Sequence, residues 1–326
     1  MTSKIDHVPP RVLFSRCLGF EPCRYNGNII NEPVVEHLKP FVNAETVCPE
    51  VEIGLGVPRQ PIRLIGDEAA PKLVQPETGR DLTETMRTFV DRRLTELEAP
   101  DGVILKYASP SCGPREVKLY VNDKKGAAFS KTHGVFGGAV AERFPHCAIE
   151  DEGRLKSFDI RQHFLTRLFA WARFRGVRTS GEMRDIVGFH AQHKLLLMAY
   201  NQTKMRELGR IVANPEKKTA PEIFAAYADG LHLALEKAPR RTSAINVLMH
   251  ALGYVSDALT SEEKAFFLDA LEQYRNRHVP LSVPTSIIRS WIIRFDVGYL
   301  ADQVYFEPYP QDLVEVLDSG KGRALG

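Results

Sequence analysis

The chain has 326 residues, 44% of them hydrophobic and 26% charged, with a formal net charge of +2. That balance excludes a disordered or fibrous chain, and the length suggests two domains, each able to bury its own core. No apolar run reaches the roughly 20 residues of a membrane helix, and the opening MTSKIDHVPPRV contains no signal-peptide stretch, so the expectation is a cytoplasmic protein without a membrane partner, its five cysteines reduced.

In chain order, short apolar runs come first. Residues 11–15 (RVLFS), 61–65 (PIRLI), 102–107 (GVILKY) and 117–120 (VKLY) predict strands bounded by Gly and Pro turns. Between the second and third, DLTETMRTFVDRRLTELE (81–98) spaces Leu82, Met86, Phe89, Val90, Leu94 and Leu97 along one helical face, with Asp81 and Glu84 placed to cap its start. Strands alternating with helix imply an α/β domain with a mainly parallel, Rossmann-like sheet, whose ligands gather outside the carboxyl ends of the strands. Cys17 and Cys112 follow two such ends.

After about residue 157 the pattern is helical throughout. Residues 186–200, 222–235, 244–259, 261–274 and 285–295 all repeat apolar side chains at helical spacing, separated by Pro or Gly breaks. The expected organisation is an α/β domain over residues 1–155 and an all-α domain over residues 156–326, with the boundary in or beside 157–176. Charge concentrates early in that second part: residues 154–218 hold 14 Lys and Arg against 5 Asp and Glu, with aromatics interleaved in RLFAWARFRGVR (167–178). Such a segment suits a polyanion, because each phosphate neutralised releases condensed counterions, and it equally suits a solvated helix face.

The cysteines stand alone rather than in pairs. Cys17 lies in SRCLGFEPCRYNG (15–27), Cys48 in TVCPEVEIGLGVPR (46–59) and Cys112 in YASPSCGPRE (107–116). None forms the paired grouping of a structural zinc site. Three thiolates brought from separate stiff turns suit an iron-sulfur cluster, and they equally suit small buried hydrophobes; spacing does not choose between the two.

These blocks, in this order, resemble the thiouracil desulfidase (TudS-like) family over roughly residues 11–150, through Ser15, Cys17 and Leu18 with Arg24-Tyr25, then Cys48-Pro49-Glu50 with Pro58-Arg59, then Ser109-Pro110-Ser111-Cys112-Gly113. The second half resembles the YbgA-like domain through FHAQHKLLLMAY (189–200), RELGRIVA (206–213) and QVYFEPYPQDL (303–313). The fusion of the two resembles tRNA 4-thiouridine desulfidases. The resemblance implies a 4Fe-4S cluster held by Cys17, Cys48 and Cys112, with one iron open to substrate, and a catalytic pair formed by Glu50 and Ser109. It implies hydrolytic removal of sulfur to give uridine and sulfide, with tRNA bound by the basic helical domain. Asn26 stands where the family often has Asp.

Around that core, Arg24 and Tyr25 are placed to stack on or orient a base. Cys23 reads as a packed thiol, with an alternative role as a transient ligand, and Cys147 in FPHCAIE (144–150) as structural. His190 and His193, with Lys194, suggest phosphate contact or a structural hydrogen bond ahead of a metal site. The basic loop NDKKGAAFSKTH (122–133) is either a nucleotide cover or plain exposed loop. Two rival functions stay open: a desulfidase of free thiouracil or another small thiolated molecule, and a non-catalytic iron-sulfur sensor that binds nucleic acid.

Overall fold

The computed structural model describes residues 5 and 7–314. The chain divides into two compact units, one built on Pro9–Ala172 and the other on Arg173–Gln311 together with His7 and Val8. The division falls inside a helix, between Ala172 and Arg173.

The first unit contains β1 (Arg11–Ser15), α1 (Pro33–Leu38), β2 (Asn43–Val47), α2 (Pro49–Glu52), β3 (Arg63–Ile65), β4 (Lys72–Gln75), β5 (Arg80–Asp81), α3 (Thr83–Glu96), β6 (Gly102–Leu105), β7 (Val117–Tyr120), β8 (Phe129–Thr132), α4 (Val135–Arg143), β9 (Ala148–Asp151) and the first part of α5 (Phe158–Ser180). Four strands form a wholly parallel sheet in the order β2-β1-β6-β9. Its two central strands are buried at Val12, Leu13 and Phe14 and at Val103, Ile104 and Leu105, as expected where parallel strands are covered on both faces. Each such side chain taken from water stabilises the fold by about 1.5–3 kcal/mol. Gly102 opens β6 under α5: an added Cβ would lie 2.4 Å from Leu168 Cδ1, so that side chain would have to shift.

The chain steps from β1 outward to β2, then returns past β1 to β6. Strand order therefore reverses between β1 and β6, which opens a crevice beyond their carboxyl ends.

The α/β-then-α architecture, with its parallel sheet, is as the sequence implies. The runs at 61–65 and 117–120, now β3 and β7, lie in a second, mixed sheet of order β5-β4-β3-β7-β8, where only β3 and β7 pair in parallel. Short connections from β3 to β4 and from β7 to β8 force antiparallel hairpins, since a parallel return needs a long crossover. One face of α3, with Met86, Phe89, Val90 and Leu94, packs into a core shared with Leu64, Leu73, Leu119 and Phe136. Asp81 does hold the start of α3, its carboxylate accepting from the Thr83 N–H at 2.9 Å, whereas Glu84 pairs with Arg87 instead of reaching back.

The second unit contains the rest of α5, then α6 (Met183–Tyr200), α7 (Gln202–Ala213), α8 (Ala220–Leu235), α9 (Arg241–Gly253), α10 (Ser261–Arg275), α11 (Ser282–Arg294) and α12 (Gly298–Ala301), with no strand among the described residues. Capping boxes at Thr219 with Glu222 and Thr260 with Glu263 start α8 and α10. α9 stops at Gly253, short of the residue 259 that periodicity suggests. Among the described residues, no helix is long and apolar enough to cross a membrane.

Candidate active site

Three loops that leave the carboxyl ends of parallel strands carry the cysteines: Cys17 just after β1, Cys48 directly after β2, and Cys112 after β6. The sheet thus gathers at one end residues separated by up to 95 positions in sequence. Cys23, in the loop after Cys17, is buried and its thiol lies within hydrogen-bonding reach of both Cys17 and Cys48. The hydrogen bond to Cys17, followed by burial, pushes the Cys23 thiol up to about 11. Cys48 is pushed up further, first by its bond to Cys23 and then by burial. Cys112 is raised to about 12, mainly by burial, against the opposing pull of Ser15 and Ser111.

Cys112 is held from behind by α4. The first amides of that helix donate to the turn that carries the cysteine: Val135 N–H to Pro110 O at 3.1 Å, Phe136 N–H to Ser111 O at 2.9 Å and Gly134 N–H to Gly113 O at 2.7 Å. Glycine is needed for this approach, since a Cβ on Gly137 would lie 2.3 Å from Cys112 O and one on Gly134 would lie 2.6 Å from Ser111 O. The turn is therefore fixed by tertiary hydrogen bonds as well as by Pro110 and Pro114. Ser15, at the end of β1, accepts the Lys106 N–H at the end of β6 at 2.9 Å and so ties the two central loops together.

Beside the thiols lies a connected set of polar side chains. The Ser111 hydroxyl donates to Glu50 Oε1 at 2.8 Å. Ser109 Oγ stands 3.1 Å from Ser111 Oγ and accepts the Cys112 N–H at 3.1 Å. With the Ser111 proton directed at the carboxylate, Ser109 must donate to Ser111, so the hydroxyls point in sequence from Ser109 to Ser111 to Glu50. On the other oxygen, Glu50 Oε2 accepts from Nε of Arg59 at 2.8 Å and pairs with its Nη2 at the same distance. Arg16 and Glu52 form a second pair at 2.8 Å, and Glu52 also accepts the Cys48 N–H at 3.2 Å.

Of the residues singled out from sequence, Cys17, Cys48, Cys112, Glu50 and Ser109 come together. Arg24 and Tyr25 lie in the same loop system, with the guanidinium 5.6 Å from the Tyr25 ring and that ring 43% exposed. The loop is tied inward where Arg59 N–H donates to Tyr25 O at 2.7 Å. Cys147 sits at the amino end of β9, opposite the ends that carry the other cysteines, its thiol 3.8 Å from Ala148 O. His190 and His193 turn to different partners. His190 Nδ1 meets the Tyr227 hydroxyl at 3.1 Å, while His193 Nδ1 bonds Phe189 O at 2.8 Å and its Nε2 accepts from Arg173 at 3.2 Å. The stretch 122–133 is part of a β-hairpin whose tip is exposed, with Lys131 of β8 paired to Glu116.

Sequence reading missed Ser111, Arg59 and Ser15. All three lie inside the quoted motif blocks, but only the folded loops show that Ser111 rather than Ser109 touches Glu50.

Among the described residues, no group of three His, Cys, Asp or Glu side chains is arranged to hold a metal ion as it stands. The donor chemistry nevertheless fits an iron-sulfur cluster: three soft sulfur donors from three separate loops, with Cys48 and Cys112 buried and Cys17 partly so.

Residues 12–152 match the family described as 2-thiouracil desulfurase, and residues 194–310 match a protein of unknown function, DUF1722. The uncharacterized protein YbgA of Escherichia coli (strain K12) is 26% identical over 149 residues, covering 45% of this chain and 88% of YbgA. The uncharacterized protein YbbK of Bacillus subtilis (strain 168) is 34% identical over 110 residues, covering 31% of this chain and 72% of YbbK. Among solved structures, the 4Fe-4S-dependent thiouracil desulfidase TudS aligns with a TM-score of 0.35 at 25% identity, over 45% of this chain and 93% of that one.

Proposed function

The chain belongs, through residues 12–152, to the 2-thiouracil desulfurase family and joins to that domain a DUF1722 domain; from this premise we propose that it is a tRNA 4-thiouridine desulfidase. It replaces the thiocarbonyl sulfur of the base by oxygen from water, giving uridine and hydrogen sulfide. The observation that carries this reading is the convergence of Cys17, Cys48 and Cys112 at one end of the parallel sheet, with the Glu50–Ser111–Ser109 chain directly beside them.

Cys17, Cys48 and Cys112 are the residues that would hold a 4Fe-4S cluster. When bound, such a cluster supplies a soft Lewis acid matched to a thiocarbonyl sulfur. The protein supplies the rest. Glu50 Oε1 takes the proton of the attacking water, because its other oxygen is already occupied by Arg59. Once protonated, Glu50 hands that proton to Ser111, which passes its own to Ser109 as the two hydroxyls reverse direction, and Ser109, only partly buried, delivers a proton to the substrate edge. The exposed Tyr25 ring and the Arg24 guanidinium offer a flat surface for a pyrimidine. The balance is one water consumed and one hydrogen sulfide released, with no net oxidation.

The helical domain serves as the RNA grip. Support comes from the excess of 14 basic over 5 acidic residues between 154 and 218. Three of these, Lys194, Arg206 and Arg210 on α6 and α7, are exposed. A base must leave its stack before chemistry reaches it, at a cost of a few kcal/mol that phosphate contacts elsewhere offset.

The experiment is sulfide release by the iron-loaded protein from thiolated tRNA and from free 4-thiouridine and 2-thiouracil. Efficient release from tRNA, reduced by Lys194, Arg206 and Arg210 to Ala together and with a shallower salt dependence, supports the reading. Equal activity on the free base, insensitive to those three changes, assigns the protein to small thiolated molecules instead. An unchanged function after E50Q and S109A would make it a sensor.

A further inference from the structure

Arg59 stands outside the three cysteine turns, yet more polar groups of the site converge on it than on any thiol. Its guanidinium is almost wholly enclosed, with 6% of the side chain exposed, and Glu50 beside it is 13% exposed. Nε donates to Glu50 Oε2 at 2.8 Å, and Nη2 forms an ion pair with the same oxygen at 2.8 Å. Nη1 donates to Cys23 O at 3.0 Å and to Gly56 O at 3.3 Å. Its own backbone N–H donates to Tyr25 O at 2.7 Å. One residue thus joins the loop after Cys17, the segment after Cys48 and, through Glu50 and Ser111, the turn that carries Cys112.

The two carboxylate oxygens of Glu50 are therefore unlike. Oε2 takes the Nε–H and lies 2.8 Å from the charged Nη2, which anchors that oxygen against the guanidinium. Among the described residues, Oε1 accepts the Ser111 hydroxyl alone, which leaves it a further lone pair. A lysine at position 59 would bring the charge without the guanidinium, and could not hold Glu50, Cys23 O and Gly56 O together.

We infer that Arg59 is the positioning residue for Glu50, fixing Oε1 as the oxygen that meets water and turning it toward the three cysteine loops. This rests on the desulfidase reading for what Glu50 does, and on the geometry alone for how Glu50 is held. Arg59 touches neither substrate nor cofactor in this account; it acts through Glu50.

The test is a double-mutant cycle in the full-length, iron-loaded protein with 4-thiouridine as the probe. R59Q should lower kcat about 10–100-fold with KM unchanged, the usual cost of removing a group that orients a reactive one. Introduced on top of E50Q, R59Q should cost nothing further, because the residue it positions has already lost its function. R59K should recover part of kcat. A loop-fastening role alone would lower activity equally in both backgrounds, so multiplying losses would overturn the inference, as would an unchanged kcat in R59Q. Should R59Q fail to fold or to load iron, R59K with and without E50Q makes the same comparison. A crystal structure of R59Q or R59K supplies a readout independent of turnover: Glu50 Oε1 should leave Ser111, and a retained 2.8 Å bond would refute the positioning role. If the wild-type protein releases no sulfide from any thiolated pyrimidine, the desulfidase reading fails by itself and that crystal structure still decides the positioning claim.

Discussion

Glu50 and Ser111 are joined by a 2.8 Å hydrogen bond across 61 residues of sequence, which fastens the segment after β2 to the turn after β6. Ser111 is fully buried and lies between Glu50 and the partly exposed Ser109. Removing its hydroxyl interrupts that chain and leaves a carboxylate oxygen unpaired. S111A is expected to lower sulfide release about 10–100-fold, the usual cost of removing a partner that orients a reactive group, while iron content stays at the wild-type level. S109A should differ, since Ser109 also accepts the Cys112 N–H and its loss loosens the turn itself. Turnover of S111A at the wild-type rate would remove Ser111 from the mechanism.

The placement of the cysteines sets Cys147 apart from the other four. Replacing Cys17, Cys48 or Cys112 by Ser should each abolish cluster retention, read as iron and sulfide per chain and as loss of visible absorption under anaerobic conditions. Cys147→Ser should keep full iron content, because that thiol lies at the amino end of β9, away from the other four. Its cost is one of stability alone, about 1–3 kcal/mol for a polar hydroxyl in a buried site. Iron loss in Cys147→Ser equal to that in Cys112→Ser would contradict the ligand assignment.

Gly137 tests whether the Cys112 turn depends on its helix. A methyl group there would sit 2.3 Å from Cys112 O, so backbone must move against backbone. Gly137→Ala is expected to destabilise the first unit by about 1–3 kcal/mol through overpacking and to displace Cys112, lowering iron content even in protein that remains folded. Gly188→Ala, inside α6 where a Cβ meets nothing within 4 Å, is the control: it should leave iron content unchanged and, by helix propensity, raise stability by up to about 1 kcal/mol. Normal iron loading in Gly137→Ala would show that the turn does not need its close contact with α4.

What was legible in the sequence follows from burial. β1 and β6 stand out as VLF and VIL because both faces are covered. β2 is an edge strand with Asn43, Ala44 and Glu45 exposed, so its composition carries no strand signal even though Cys48 depends on it. Periodicity found β3 and β7 but not their sheet, because alternation along a strand says nothing of the partner beside it. The cysteine blocks were readable as motifs. That Ser111 rather than Ser109 reaches Glu50 was not, since two serines two positions apart differ only in how a turn aims them. Arg59 was equally silent, because its partners Glu50, Gly56, Cys23 and Tyr25 come from two loops that only folding brings together.

In the helical unit, His193 predicts how stability depends on pH. The ring is buried and stacked on Phe189 at 3.8 Å, with Nδ1–H donating to Phe189 O and Nε2 accepting from the Arg173 guanidinium. Burial first, then the charge of Arg173, holds its pKa well below the usual 6.5. The folded chain therefore keeps this imidazole neutral where the unfolded chain takes up a proton. Below pH 6.5 each further unit of acidification should remove about 1.4 kcal/mol of stability until the folded-state pKa is reached, whereas above pH 6.5 His193 adds no slope. His193→Gln keeps a donor and an acceptor but cannot titrate, so its denaturation free energy should fall less steeply than wild type between pH 6.5 and 5. Parallel curves for the two proteins over that range would mean that His193 is protonated in the folded state, and that Arg173 does not exclude the proton.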